Sequence, residues 1–213
     1  MRKALLSWLT LWIVIYGGVL LWSAIGPYDF LTWLLETLPA MVAAVVLTAT
    51  WRRFRLTGLT YLLILVHAVI LMVGGHYTYA RVPLFDQLAE LFHWQRNNYD
   101  KLGHLAQGFV PAMVAREIVI RKQVFASAPW RNFFIVCFCL AVSAVYELLE
   151  WVAALVSKEA ADAFLGTQGY AWDTQSDMAW ALLGSVLALL LLGRLHDRQL
   201  AKVHDAGPHP DVQ

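Results

Sequence analysis

Residues 132–156 read NFFIVCFCLAVSAVYELLEWVAALV, a run of 25 residues whose only formal charges are Glu147 and Glu150. A run of this length and apolarity is long enough to cross a bilayer as a helix, which needs roughly 20 residues. The two carboxylates are three residues apart and share one helical face. Ionisable groups at bilayer depth are costly, so they turn toward the bundle interior, pair with one another and mark a functional site. This one segment therefore sets both the fold class and the place to look for chemistry.

The rest of the chain repeats the pattern. Of 213 residues, 60% are hydrophobic and 15% charged, with a mean hydropathy of +0.57. That composition belongs to a membrane protein rather than a soluble domain. Ten Trp and eight Tyr suit aromatic belts at the two interfaces. Further spans are expected at Leu5–Ile25, Phe30–Thr50, Leu59–Tyr77, Lys101–Ile120 and Thr174–Leu195, giving an all-α bundle of six transmembrane helices in one domain, residues 1–195. Met1–Lys3 before an apolar run imitates a signal peptide, but Ala24-Ile25-Gly26 is a poor cleavage site, and the segment reads as an uncleaved first helix. In the connector Thr78–Tyr99, the stretch Val82–Trp94 carries Leu84, Phe85, Leu88, Leu91 and Phe92 at helical spacing, the pattern of a short interfacial helix. Residues 196–213 read as a polar, disordered cytoplasmic tail.

Lys and Arg are distributed unevenly across this topology. Arg2, Lys3, Arg52, Arg53, Arg55, Arg116, Arg121, Lys122, Arg131, Arg194, Arg198 and Lys202 fall on one side, against Arg81, Arg96, Lys101 and Lys158 on the other. The positive-inside rule then puts both termini in the cytoplasm of a bacterial inner membrane. The basic clusters flank spans and read as topology determinants and contacts to lipid headgroups, so the bilayer is the expected partner. No Gly-rich phosphate loop, zinc pattern or internal repeat occurs, and no nucleic-acid partner is expected. Cys137 and Cys139 lie inside an apolar run and read as core or lipid-facing residues. Nothing in the chain fixes an oligomeric state.

With this orientation, polar side chains from five spans gather in the periplasmic half. Glu36, His76, Asp100, His104, Glu147, Glu150, Asp173 and Asp177 are the ionisable members. Asp100 and His104 are four apart on one face, continued by Gln107, Gly108 and Pro111; Asp173 and Asp177 repeat the spacing at a helix start, where the dipole favours carboxylates. Such a group cannot be wholly charged and unpaired. It can bind a divalent cation, share protons, or pair with Lys101, Arg81 or Arg96; the last is a structural network. A carboxylate-rich set with few His favours Mg²⁺, Mn²⁺ or Ca²⁺. The candidate catalytic groups are Asp100, His104, Glu147, Glu150, Asp173 and Asp177, with Asp100, His104, Glu147 and Asp177 as metal ligands. Candidate substrate contacts are His76, Tyr77, Asn98, Gln107, Gln168, Trp172 and Gln175. Glu36 on its own reads as an interfacial residue, His67 as a core histidine, and Glu117 as a solvated partner of Arg116 and Arg121.

The motifs Asn97-Asn98-Tyr99-Asp100-Lys101-Leu102-Gly103-His104, Gln107-Gly108-Phe109-Val110-Pro111, Tyr146-Glu147-Leu148-Leu149-Glu150-Trp151 and Gly166-Thr167-Gln168-Gly169 followed by Trp172-Asp173-Thr174-Gln175 and Asp177-Met178 resemble the YjdF family of bacterial inner-membrane proteins. The resemblance covers almost the whole chain except the tail; Tyr170 stands where the family usually has an acidic residue, and Ser176 where a bulkier residue is usual. It implies a multi-pass inner-membrane protein and no established activity. Asp100, His104, Glu147, Asp177 and Gly184 are also similar to the pattern of VanZ-like membrane proteins, associated with glycopeptide resistance and the cell surface, with Ala181 where that group shows Asn. The functions compatible with these features are metal-assisted or acid–base hydrolysis, or binding, of an envelope or lipid-linked substrate; solute or proton-coupled transport; and a structural membrane protein with a buried polar network.

Overall fold

The computed structural model describes residues 2–156 and 168–205, and everything that follows refers to them. They form helices and their connections: α1 (Arg2–Ala24), α2 (Phe30–Thr50), α3 (Gly58–Tyr77), the short α4 (Pro83–Phe92), α5 (Tyr99–Arg121), α6 (Ala128–Val156) and α7 (Asp173–Asp205). No strand occurs among them. Helix starts follow local chemistry. The Asp29 carboxylate accepts from the Thr32 amide at 2.7 Å to cap α2, Thr57 caps α3, and Pro83 opens α4, where a missing amide hydrogen costs nothing. Thr78 and His93, both left-handed, close α3 and α4.

Helices α1, α2, α3, α6 and α7 each combine the length and the apolarity needed to cross a membrane. The fold is that of a polytopic all-α membrane protein. The sixth long helix, α5, has the length, 23 residues or about 35 Å, but not the apolarity, because it carries Asp100, Lys101, His104, Arg116, Glu117 and Arg121. The expected count of six spans is therefore met by five helices on hydropathy alone. Asp100, His104, Arg116 and Glu117 are buried inside the bundle, so a polar α5 need not expose these four charges to lipid.

Helix α5 is the axis of the bundle. It packs most extensively on α7 and also touches α3 and α6; α2 and α1 lean on α3. In a bilayer the space between helices is no more apolar than the lipid, so association relies on close backbone approach through small residues. The α5–α7 crossing shows this. A Cβ added to Gly108 would stand 1.8 Å from the Ala181 carbonyl oxygen, and one added to Gly184 would stand 2.1 Å from that of Leu105. Ala112 and Ala188 extend the contact and are fully buried. Large side chains point outward instead, as with Leu190 at 74% exposure.

One boundary differs from the sequence reading. Helix α7 does not stop near residue 195 but runs to Asp205. Its last turns are held by protein rather than released to water: His196 is fully buried and Leu200 nearly so, and the Gln199 side chain accepts from the Leu59 amide at 3.0 Å. A polar sequence here signals interhelical bonding, not disorder. Residues 206–213, the remainder of the expected tail, lie outside the described residues, as does the connector 157–167. The amphipathic stretch after α3 forms α4 as expected, with none of its residues fully buried. Cys139 is buried and Cys137 exposed, neither in a disulfide.

Candidate functional site: a buried carboxylate and imidazole cluster

The start of α2, the connector after α3, the start of α5, the end of α6 and the start of α7 meet at one end of the bundle, and each delivers a polar group. Asp100 and His104 lie in the first turns of α5, Asp173 and Asp177 in those of α7, and Glu147 and Glu150 face inward from α6. All six are buried. Asp177 is only 2% exposed and Glu147 8%. Two helix N-termini thus point partial positive charge at the cluster, which favours carboxylates there.

His104 sits at the centre. Its Nδ1 donates to Gln107 Oε1 at 3.0 Å, and its Nε2 faces Asp100 Oδ1 at 3.4 Å and Glu147 Oε1 at 3.7 Å. A nitrogen opposed to two carboxylates at this range requires a proton or a cation between them. Asp100, His104 and Asp177 each offer one ligand atom, and the three atoms lie within 4.8 Å of one another. A hydrogen bond on the far ring nitrogen is what orients a metal-binding imidazole. Asp177 Oδ1 and Glu147 Oε1 have no hydrogen-bond partner. The donor set, two carboxylates and one imidazole with a third carboxylate adjacent, suits a hard divalent cation.

Arg96 supplies the nearest fixed positive charge. Its guanidinium contacts Asp173 at 2.5 Å and Asp100 at 3.6 Å, so pairing with Arg96, the structural alternative from the sequence, accounts for part of the cluster. It does not reach all of it. Among the described residues, Glu36, Glu147, Glu150 and Asp177 form no ion pair with Lys or Arg.

Other expected contacts divide in two. Gln107 orients His104, and Gln168 exchanges two bonds with the Asn97 backbone at 3.1 and 2.9 Å, anchoring the entry to α7 beside the start of α5. Asn98 Oδ1 is buried without a hydrogen bond. His76 and Tyr77 are not brought to the cluster: His76 Nδ1 lies 3.0 Å from the Ser23 carbonyl oxygen, with the His76 ring against Trp22 and Tyr77. Trp172 is 66% exposed and Gln175 is exposed.

The sequence placed Glu36 in the group but read it on its own as interfacial, and passed over Tyr146 and Tyr79. Glu36 is not interfacial; it is buried and accepts from the Tyr146 hydroxyl at 2.8 Å. Tyr146 precedes Glu150 by four residues, a helical-face signal that could have found it. Tyr79, from the connector after α3, reaches Glu36 as well. Its ring lies where Gly74 and Gly103 have no side chain, within 2.2 and 2.7 Å of any Cβ placed there. Burial, reinforced by the Glu36 carboxylate, pushes the Tyr79 phenol well above its usual pKa, so it stays a proton donor.

The opposite end of the bundle holds a contrasting network. Glu117 is not a solvated partner of Arg116 and Arg121 but is fully buried. Its two oxygens accept from the Thr57 amide at 2.8 Å and hydroxyl at 2.9 Å, Thr60 at 2.7 Å, Arg121 at 3.1 Å and His196 at 3.2 Å. Arg116 meets the other His196 nitrogen at 3.2 Å and Asp197 at 2.6 Å. Every oxygen of Glu117 is satisfied, which is the signature of a structural tie among α3, α5 and α7.

Fold and site together define a multi-pass helical membrane protein with a buried, incompletely neutralised polar cluster at one end. The family model described as "Predicted membrane protein (DUF2238)" matches residues 8–198, and the chain belongs to that family. It is 50% identical over 184 residues to the inner membrane protein YjdF of Escherichia coli (strain K12), a match covering 86% of this chain and 88% of that protein. The resemblance to the YjdF family is thus confirmed and places the chain among bacterial inner-membrane proteins; neither finding bears on the VanZ-like likeness. No solved structure matches the chain.

Proposed function

We propose that the cluster is a divalent-cation site on the periplasmic side that binds, and by metal-assisted or acid–base chemistry hydrolyses, an envelope component carrying an anionic headgroup. The observation that carries this reading is His104 Nε2 set between Asp100 and Glu147, beside the partnerless oxygens of Glu147 and Asp177. The satisfied Glu117 network at the other end makes the contrast meaningful, because this fold can neutralise a buried carboxylate when the role is structural.

Asp100, His104 and Asp177 would hold the cation, which would supply the positive charge that an anionic group needs amid carboxylates and would acidify a bound water. Glu147 is adjacent to take a proton, Gln107 fixes the His104 tautomer, and the Tyr79 and Tyr146 hydroxyls stand ready to donate. Arg96 and Asp173 brace the rim. The periplasmic placement follows from the twelve-to-four bias of Lys and Arg, with α5 as the sixth span and both termini cytoplasmic.

The test is direct binding of Mn²⁺ to protein purified in detergent, followed by calorimetry or electron paramagnetic resonance. We expect near-stoichiometric binding that is lost in Asp177→Asn and His104→Ala, with folding retained. No saturable Mn²⁺, Mg²⁺ or Ca²⁺ binding to the folded protein would overturn the cation site.

A further inference from the structure

The cluster is not sealed. It forms one end of a cavity of about 1030 Å³, at the top of the range for small-molecule sites. Glu36 and Thr50 of α2 both line this cavity, as do His104 and Ile118 of α5. Each pair is fourteen residues apart, so the cavity is about 21 Å long, some two-thirds of the hydrocarbon thickness of a bilayer. Its walls come from α2, α3, α5 and α6 and are predominantly apolar, with Leu71, Val110, Val114 and Phe138 among them. No extensive packing joins α2 to α6, so the cavity has an open flank along those two helices at membrane depth.

Polar groups inside it are few and placed at particular depths. At one end are Glu36, Tyr146, His104 and Glu150. At the other are Arg53 and Lys122. Between them the wall carries His67, whose Nε2 is buried and has no hydrogen-bond partner. A Cβ on Gly75 would stand 3.2 Å from Glu36 Cβ, so His67, eight residues earlier on α3, lies about 12 Å deeper than Glu36. That nitrogen is closed off by protein rather than open to the cavity, so the middle of the cavity presents an apolar wall.

We propose that this cavity holds one acyl chain of a membrane lipid, entering sideways between α2 and α6, with its headgroup at the carboxylate and imidazole cluster. The chain lies against Leu71, Val110 and Val114 and ends near Arg53 and Lys122. A polar solute would find no partners along the apolar walls. The inference deepens the proposed function, on whose headgroup site it rests, by giving the substrate its class: an acyl lipid drawn from the bilayer rather than a soluble molecule from the periplasm.

The experiment reconstitutes the full chain in vesicles of phosphatidylethanolamine and phosphatidylglycerol doped with phosphatidylglycerol bearing a diazirine along one acyl chain. After illumination, labelled residues are mapped by mass spectrometry. Adducts are expected on Ala68, Val110 and Val114 within the cavity, in addition to outward positions such as Leu190. Ala43→Trp and Val114→Phe, which fill the cavity, should abolish the interior adducts while those at Leu190 persist. Labels confined to the outward surface of the wild-type protein would overturn the proposal even if both filling variants failed to fold. Interior labels unchanged in folded filling variants would also overturn it, as would disulfide-linked dimers through Ala43→Cys, which would assign the groove to a second copy. Mn²⁺ titration of the same preparations separates the two ideas: interior labelling without cation binding sinks the cation site and spares the lipid site, and the reverse outcome does the opposite.

Discussion

At the residue scale, two buried glutamates with the same formal charge are predicted to behave oppositely. Glu117 meets five donors, so Glu117→Ala strands several of them without a partner. The expected loss is about 3–5 kcal/mol, the usual cost of breaking a buried charged network, read as a clear fall in melting temperature in detergent. Glu147 has one partnerless oxygen and shares a helical face with Glu150. Glu147→Gln and the double variant with Glu150→Gln relieve repulsion, so melting temperature should hold or rise while Mn²⁺ affinity falls. A marked loss of stability in Glu147→Gln would return this residue to a structural role. The aromatic members make the same distinction. Tyr146→Phe removes the hydroxyl from Glu36 and should cost roughly 1–3 kcal/mol if that oxygen is left without a replacement partner.

At the scale of elements, the α5–α7 crossing governs the site, because Asp100 and His104 ride on one helix and Asp177 on the other. Their approach within 4.8 Å depends on backbones that touch at Gly108 and Gly184. The clash at Gly108 is with a main-chain carbonyl, which has no rotamer to retreat into. Gly108→Ala should therefore force the helices apart, lower the melting temperature by the equivalent of at least about 1–3 kcal/mol, and weaken Mn²⁺ binding with every ligand still present. Gly17, with nothing within 4 Å of an added Cβ, is the control: Gly17→Ala should be neutral. The last turns of α7 act as a second fixture. His196 and Gln199 tie them to α5 and α3, so truncation after Leu195 should destabilise the protein, whereas loss of a free tail would leave it unchanged.

For the whole molecule, membrane orientation decides which compartment the cluster meets. Reporter fusions placed after Arg53 and after Lys122 should report a cytoplasmic location, and fusions after Arg81 and after Trp172 a periplasmic one. A cytoplasmic signal at Trp172 would invert the site and remove the periplasmic substrate from the proposal. The same map tests α5 as a span, because Arg81 and Lys122 can lie on opposite sides only if the chain crosses between them.

The sequence by itself determined the class, five of the spans and the membership of most of the cluster. Hydropathy over 20 residues is a local property, and a carboxylate in an apolar run, such as Glu147, announces its cost without reference to any neighbour. Spacing along one helix was likewise legible: Asp100 with His104, Glu147 with Glu150, Asp173 with Asp177. Tertiary structure decided what those charges face. Glu117 looked solvated and His196 looked like the start of a disordered tail, because polar residues past a span end usually are, yet they pair across 79 positions in sequence, a relation no local window contains. Glu36 looked interfacial until α6 brought Tyr146 to it from 110 residues away. His76 looked like part of the cluster because depth in the membrane was known and the direction around the helix was not. Hydropathy fixes depth, because the bilayer is a solvent that varies along one axis; facing is set by which backbones can approach, and that depended on small residues meeting at Gly108, Ala181 and Gly184.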